Sequence, residues 1–158
     1  MLVKDNIIMT RVVRSGMLVR EVFAECGHTH VQALPFVDKS GRITGRLTLK
    51  NIMRIACLPE YMVDTAPLLG GFLSCVDNAK EKIRQLLGHP ADDYVLESNL
   101  TIGSDEPAIK ALAVMERNDT SYIFVVDDGQ YQGIVTIQGI AMTMSSCDQD
   151  MELHVADG

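Results

Sequence analysis

The chain contains two copies of one short sequence pattern, and this repeat constrains the fold more than any other feature. Each copy has an apolar run that ends in aspartate, then a glycine, then a threonine. The members are residues 34–38, Gly45 and Thr48 in the first copy, and residues 123–127, Gly133 and Thr136 in the second. The glycines and the threonines are both 88 residues apart (133 − 45 and 136 − 48). Such a duplication predicts two similar supersecondary units that pack as a pseudo-symmetric pair.

Length and composition predict a globular protein with one well-formed core. The 158 residues are 47% hydrophobic, which suffices for a single domain of ordinary size. The chain has no run of about 18 apolar residues, and Lys4 and Asp5 occupy the place where a signal peptide needs an apolar segment. We therefore expect a cytoplasmic protein without membrane insertion.

The cysteines and the net charge exclude several classes of protein. The four cysteines are scattered, without a C-x-x-C pair, which favours free thiols in a reducing compartment over a zinc ribbon or a disulfide scaffold. They are Cys26, Cys57, Cys75 and Cys147. The net charge of −7 makes a nucleic-acid partner unfavourable, because binding to phosphates needs a basic surface.

The charges are unevenly distributed between the two copies. Up to Asn51 the chain has eight basic residues against four acidic ones, whereas after Arg117 it has seven acidic residues and no lysine or arginine. An anionic ligand is therefore expected to prefer the first copy.

In each copy the pattern predicts a helix, two strands joined by a hairpin, and a second helix. In the first copy, apolar residues recur at helical spacing over residues 18–26, and Gly27 is expected to end this helix. Strands are predicted over residues 31–37 and 43–49, followed by a helix that runs toward Cys57.

The second copy has stronger signals at the ends of its elements. Ser104 is a favourable N-cap, and Pro107 is typical of the first turn of a helix. Strands are predicted over residues 122–126 and 133–137, and the Asp128-Gly129 pair between them is typical of a tight hairpin turn. A final helix follows.

The segment between the copies is too long for a structureless connection and is expected to fold. A short helix is predicted over residues 79–87, capped by Asp77 or Asn78 and ended by Gly88 and Pro90. The predicted organisation is repeat one at 1–58, a helical insert at 59–93, repeat two at 94–144, and an acidic, disordered tail at 145–158.

With the copies aligned, the chain resembles a tandem pair of CBS (cystathionine β-synthase) domains, also called a Bateman module. The resemblance covers most of the chain, although Phe124 replaces the proline usual in the second copy. The residues that carry it are 8–10, 34–38, 41–45 and Thr48 in the first copy, and 123–127, Gly133 and Thr136 in the second.

This resemblance implies a fold, an activity and partners. The fold is α+β, with two β-α-β-β-α repeats packed sheet to sheet, and two modules commonly form a flat homodimer. Such modules are regulatory and not enzymes. They require no cofactor but sense AMP, ADP, ATP or S-adenosylmethionine in clefts between the repeats, and they signal to a partner protein. The resemblance further implies a stand-alone regulatory subunit, whose regulated partner the sequence does not identify.

The resemblance also points to a ligand site with a Thr/Ser-x-x-Asp motif. In the family the hydroxyl of the motif binds a phosphate at a helix N-terminus, and the aspartate accepts hydrogen bonds from both ribose hydroxyls. In this chain Asn51 occupies the aspartate position of the motif after Thr48, and Gly139 occupies it after Thr136. Asparagine retains one acceptor oxygen but glycine has none, so repeat one is the favoured site.

The candidate ligand-binding residues combine phosphate-binding and adenine-contacting types. Basic residues of repeat one, including Arg14, are expected to hold phosphate through charge-assisted hydrogen bonds. The candidates are Thr10, Arg11, Leu34, Pro35, Arg46, Thr48, Lys50, Asn51, Ile123 and Thr136. The alternatives are that the threonines only cap helices, the basic residues form a solvated face, and the apolar residues only fill the core.

Other functions are less favoured. Residues 26–30 contain Cys26, His28 and His30, but they span a predicted helix end, and no second ligand pair with matching spacing follows. We therefore predict no metal site and no catalytic residues. The main alternative function is a ligand-independent interaction or dimerisation module with degenerate nucleotide sites, in which the apolar segment 68–76 is a docking surface.

Overall fold

The computed structural model describes residues 1–58, 60–68, 79–97 and 99–156. Its helices and strands follow the predicted order, with one helix, one hairpin and a second helix in each copy. The elements are α1 (Val19–Thr29), β1 (Ala33–Val37), β2 (Ile43–Thr48), α2 (Leu49–Cys57), α3 (Glu60–Asp64), α4 (Ala79–Leu87), β3 (Thr101–Ile102), α5 (Ala108–Arg117), β4 (Tyr122–Asp127), β5 (Gln130–Thr136) and α6 (Ile137–Ala156).

Helix α1 does not end at Gly27, as the sequence predicts. The helix continues to Thr29 and ends where His30 adopts the left-handed conformation, with φ of 57°. A glycine inside a helix is tolerated, since it only raises the free energy of the helix by about 1 kcal/mol relative to alanine. The prediction was wrong because the left-handed residue that ends the helix is a histidine.

Helix α5 begins later than predicted. Pro107 has φ of −61° and is the N-cap, so the helix starts at Ala108. Ser104 is not the cap; its backbone N–H instead donates to Oδ1 of Asp127, at 2.9 Å. This bond ties the segment before α5 to the end of β4. It also lowers the pKa of the Asp127 carboxyl, since the bond favours the charged form.

The structure of the segments outside the repeats agrees in part with the predictions made from the sequence. Helix α4 has the predicted bounds, and its proposed caps at Asp77 and Asn78 lie outside the described residues. Most of the apolar segment 68–76 also lies outside them. The sequence predicts a disordered tail from residue 145, whereas the backbone of α6 is helical to Ala156. Among the described residues, no helix combines the length and hydropathy needed to span a membrane.

The two hairpins have the same register, which places the repeated glycine at the same point of each hairpin. Strands β1 and β2 pair antiparallel with Phe36 opposite Gly45, and β4 and β5 pair with Val125 opposite Gly133. Each hairpin has an irregularity directly after its Phe36 or Val125 position. Strand β3 adds to the second sheet, parallel to β4. The β4–β5 turn has positive φ at Asp128 and Gly129, as its sequence predicts.

The first residues of each repeat pair with the hairpin of the other repeat. Ile8 forms an antiparallel bridge with Ile134 of β5, and Leu96 forms the equivalent bridge with Arg46 of β2. Farther out, Leu2 bridges Pro107 and Leu18 bridges Pro90. The pseudo-symmetry therefore extends beyond the hairpins, and it links the two halves through backbone pairing.

Two hydrophobic clusters form the core, and one of them joins the repeats. The first cluster contains Leu34 and Leu47 of repeat one together with Phe124 and Ile134 of repeat two, all at most 1% exposed. The second cluster packs Val3 against α5, α6 and the second sheet. Because the first cluster includes side chains from both sheets, the repeats share a core, and the α+β pair of packed repeats is confirmed.

Candidate functional site

A large cleft lies between the N-terminus of α2 and the segment that joins α5 to β4. It has a volume of about 760 Å³ and is lined by residues of both repeats. Thr48, Lys50 and Asn51 line it from repeat one, and Glu116 with residues 118–122 contribute much of the opposite wall from repeat two. The cleft therefore exists only when the two repeats are packed together.

Thr48 caps helix α2, which is the alternative role that the sequence predicts for it. Its side-chain Oγ1 accepts a hydrogen bond of 3.1 Å from the backbone N–H of Asn51. Thr136 has the same role at α6, where its Oγ1 accepts from the N–H of Gly139 at 3.0 Å. A threonine hydroxyl that accepts in this way still has a proton to donate. Capping is thus compatible with binding to a ligand oxygen.

Asn51 is buried and makes two contacts. Its Nδ2 donates to the backbone carbonyl of Tyr94 at 3.2 Å, and its Oδ1 accepts from Nη2 of Arg54 at 3.1 Å. The first bond anchors the amide to the segment that pairs with β2. The second bond places the Arg54 guanidinium at the cleft, which Arg54 also lines.

Charged side chains of opposite sign lie on opposite walls of the cleft. Arg46, Lys50 and Arg54 extend from β2 and α2, whereas Glu116 and Asp119 belong to the end of α5 and the loop that follows it. The cleft is therefore polarised. A ligand with anionic groups at one end and hydrogen-bond donors at the other matches this arrangement.

Arg46 also connects the two repeats by contacting Tyr122 of β4. Burial raises the pKa of the Tyr122 hydroxyl, and the charge and hydrogen bond of Arg46 partly oppose that shift. Arg46 thus serves both as a cation of the cleft and as a contact across it.

The ten candidate residues from the sequence divide into three groups. Arg46, Thr48, Lys50 and Asn51 line the cleft together. Leu34, Pro35 and Ile123 are buried in the core and are not among the described residues that line the cleft. The remaining three, Thr10, Arg11 and Thr136, lie elsewhere.

Thr10 and Arg11 face a different part of the molecule. The Oγ1 of Thr10 lies 2.8 Å from the Tyr131 hydroxyl, and the backbone N–H of Arg11 donates to the Glu25 carboxylate at 2.8 Å. The structure does not bring these residues, or Arg14, to the walls of the large cleft.

Thr136 lines a second, much smaller cleft. This cleft is related to the first by the pseudo-symmetry, with Thr136 and Gln138 in place of Thr48 and Lys50, but it has a volume of only about 70 Å³. Gln32 lines both clefts and lies on the wall between them. The two sites are thus unequal in size as well as in charge.

Sequence analysis missed Arg54 and the wall of the cleft that repeat two supplies. One signal for that wall was available in the repeat itself. Asp119 and His30 occupy equivalent places after the first helix of each copy, and both adopt positive φ, of 48° and 57°. The repeat offset therefore relates residues 119–121 to the loop after α1, although the offset alone does not show that this loop faces Thr48.

The cysteine and histidines at 26–30 do not form a ligand cluster. Cys26 is buried and only 3% exposed, and burial raises the pKa of its thiol to about 11, while His28 and His30 are exposed. Within the described ranges, no group of three metal-ligating side chains is placed to hold an ion.

The second copy matches a known family model, and the fold resembles that of solved structures. A family model for the CBS domain matches residues 91–146. No curated protein matches the chain.

Solved structures resemble this chain over nearly its whole length. One is a CBS domain-containing protein of unknown function from Bacillus anthracis, with 16% identity, coverage of 92% of this chain and 94% of the other, and a TM-score of 0.62. A second is the CBS domain pair of protein MJ0100 in complex with 5′-methylthioadenosine and S-adenosyl-L-methionine, with 19% identity, coverage of 92% and 97%, and a TM-score of 0.61. A third is CBSX2 in complex with AMP, with 18% identity, the same coverage and a TM-score of 0.61.

Proposed function

We propose that this chain, whose residues 91–146 match a family model for the CBS domain and whose fold resembles that of solved CBS domain proteins, is a regulatory module. It binds an adenine nucleotide or a related adenosyl ligand in the cleft beside Thr48 and passes the signal to a partner protein. It is cytoplasmic and catalyses no reaction.

The observation that carries this proposal is the pairing of a large cleft with a cluster of cations. Ligand pockets in proteins have volumes of roughly 300–1,000 Å³, and the cleft beside Thr48 falls in that range. Two of its cations, Arg46 and Lys50, lie beside the N-terminus of α2, where the helix dipole also favours an anion. The small cleft beside Thr136 is below the range, so we expect one ligand per chain.

Two of the similar solved structures support the chemical class of the ligand. Both contain adenosine-based ligands, one with AMP and one with two sulfur-containing adenosine derivatives. Those ligands share an adenosine moiety and differ in what is attached to its 5′ carbon. A ligand of that class is the expectation for this chain as well.

Isothermal titration with AMP, ADP, ATP and S-adenosylmethionine tests the proposal. We expect binding of at least one of them with one site per chain. The variant Thr48→Ala with Lys50→Gln should weaken binding about tenfold or more, since it removes a hydroxyl and a cation. Thr136→Ala is the matched control from the second site and should leave affinity unchanged. The absence of heat with all four ligands at millimolar concentration would refute the proposal.

We also propose that the chain forms a homodimer. Apolar side chains are exposed on α2 and on its counterpart α6, namely Met53, Ile55, Ile137, Met142 and Met144, each at least 44% exposed. Clustered exposed apolar surface favours association. Sedimentation should give about twice the chain mass of 17.4 kDa. Ile55→Asp with Met142→Asp should give a monomer, whereas the similarly exposed Ile83→Asp on α4 should not; a wild-type mass of one chain would contradict the dimer.

A second candidate function is a ligand-independent interaction module. The apolar surface continues beyond α2, where Leu58, Tyr61, Val63 and Leu68 are all exposed. Asn51 also commits its amide to Tyr94 and Arg54, which leaves it less able to hold a ligand. This function is favoured if titration detects no ligand while Tyr61→Asp with Leu68→Asp abolishes capture of a partner protein that binds the wild type.

A further inference from the structure

Lys50 and Arg54 form a pair of like charges at the wall of the cleft. They are four residues apart on α2, so their side chains emerge from the same face of the helix, and both line the cleft. Like charges at this spacing repel each other. Such a pair is unfavourable for the helix alone and becomes favourable when an anion lies between the two groups.

Neither of these cations is neutralised by the part of the chain that the structure describes. The ion pairs found there involve Lys4, Arg42, Arg84 and Lys110, all outside the cleft. The carboxylates of Glu116 and Asp119 line the cleft but form no ion pair with Lys50 or Arg54 within the described ranges. The positive charge on the α2 side is thus available to a ligand.

Asn51 holds the Arg54 guanidinium in place without cancelling its charge. The Arg54 Nη2 donates to Asn51 Oδ1 at 3.1 Å, and the buried Asn51 amide is itself fixed by the Tyr94 carbonyl. A neutral acceptor orients the arginine through one hydrogen bond, whereas a carboxylate in the same position would form an ion pair with it. The other guanidinium N–H groups remain to bind oxygen atoms of a ligand.

We propose that Arg54, positioned by Asn51, is a specificity-determining residue that selects ligands with a chain of two or more phosphates. This inference rests on the proposed ligand-binding function and specifies the ligand as a nucleoside di- or triphosphate. One phosphate group is satisfied by Thr48 and Lys50 at the start of α2. The second and third phosphates interact with Arg54, one turn farther along the helix.

Other adenosyl ligands fit this charge distribution less well. A nucleoside monophosphate leaves Arg54 without an anionic partner. S-adenosylmethionine offers the α2 wall a single carboxylate and has a net positive charge, so it lacks the further anionic groups that a phosphate chain would supply to Arg54. The polarised walls therefore discriminate by the number of phosphates as well as by the adenosine moiety.

Titrations of ATP, ADP, AMP and S-adenosylmethionine into the full chain, without added divalent cation, test the inference. We expect ATP to bind at least tenfold more tightly than AMP, with the steeper dependence on salt concentration. Arg54→Gln should weaken ATP binding about tenfold and change AMP binding less than threefold, because it removes one charge-assisted contact. Arg54→Lys should recover part of the loss, and Arg42→Gln, outside the cleft, should have no effect.

Asn51→Asp gives a second and independent measurement. The new carboxylate would pair with Arg54 and should reduce the preference for ATP over AMP, even if Arg54→Gln proves unstable. Equal or tighter binding of AMP by the wild type, or an equal loss of AMP and ATP affinity in Arg54→Gln, would overturn the inference and leave the proposed function intact. Binding of none of the four ligands would overturn both.

Discussion

The backbones of Arg46 and Leu96 exchange two hydrogen bonds of 2.8 Å, one in each direction. Ile8 and Ile134 repeat this exchange on the other side of the pseudo-symmetry axis, at 2.9 and 3.0 Å. Each pair joins the hairpin of one repeat to the first residues of the other. The strand residue next to each pair is one of the two repeated glycines, Gly45 or Gly133.

Replacing either repeated glycine should destabilise the protein by about 1–3 kcal/mol, because the incoming segment leaves no room for a side chain. A Cβ on Gly45 would lie 2.5 Å from Cγ1 of Val95, and a Cβ on Gly133 would lie 2.6 Å from the carbonyl oxygen of Ile8. Urea denaturation of Gly45→Ala and Gly133→Ala checks the expected loss.

Gly27→Ala is the matched control. Gly27 lies inside α1, and no atom lies within 4 Å of the position of its added Cβ. This variant should therefore stabilise the protein by roughly 0.5–1 kcal/mol, the difference in helix propensity. Destabilisation of all three variants to the same extent would show that close approach is not the reason for the repeated glycines.

Replacement of either capping threonine should reduce stability equally, whereas only replacement of Thr48 should weaken ligand binding. Thr48→Ala and Thr136→Ala each remove one cap hydrogen bond, of 3.1 and 3.0 Å, and should each lower the free energy of unfolding by about 1 kcal/mol. Thermal unfolding without ligand should show this equality. An added nucleotide should raise the unfolding temperature of Thr136→Ala but raise that of Thr48→Ala much less; equal protection of both would contradict the assignment of the site to repeat one.

Cys26 and Cys57 should differ strongly in reactivity. Cys26 is buried, and burial raises the pKa of its thiol to about 11, so very little thiolate exists at pH 8. Cys57 is exposed at the end of α2. Brief alkylation at pH 8 followed by peptide mapping should show Cys57 modified and Cys26 protected. Unfolding in urea should make both react, and modification of Cys26 at the rate of Cys57 in the native protein would contradict its burial.

Alkaline pH should destabilise the protein in part through Tyr131. Burial raises the pKa of its hydroxyl to about 12, against an ordinary value of 10.0. The unfolded chain therefore loses this proton first, and the contribution of Tyr131 to stability is complete below about pH 10 and is lost as the pH rises to about 12.

Tyr131→Phe should therefore show a smaller loss of stability than the wild type between those pH values, measured by urea denaturation. At neutral pH it should be less stable, because the hydroxyl contact with Thr10 at 2.8 Å is lost. Tyr61 is exposed, so the variant Tyr61→Phe serves as the control. Identical pH profiles for Tyr131→Phe and wild type would refute the effect.

The hairpins and the helices that follow them were predictable because their signals are local. Apolar runs, the Asp128-Gly129 turn and the Thr48 cap are each determined by a few adjacent residues. The predictions at Gly27 and Ser104 were wrong. Glycine and serine are common at helix ends, but here His30 ends α1 and Pro107 caps α5.

The candidate site was predictable only on the side of α2. Arg46, Thr48, Lys50 and Asn51 lie in one short stretch that the repeat marks clearly. The opposite wall, around Asp119, comes from the other repeat and carries no motif. Arg54 was missed because it lies beyond the repeated motif, although it is on the same face of the helix as Lys50 and takes its orientation from a hydrogen bond to Asn51.

The bridges from Leu96 to Arg46 and from Ile8 to Ile134 mean that the duplicated unit is not the unit that folds. Each half of the chain completes its sheet with a leading segment from the opposite half, so the halves are interlocked. A cut between the copies would leave both fragments with an uncovered strand edge. Neither fragment would then have a complete sheet by itself, and the fold would return only when the two fragments recombine.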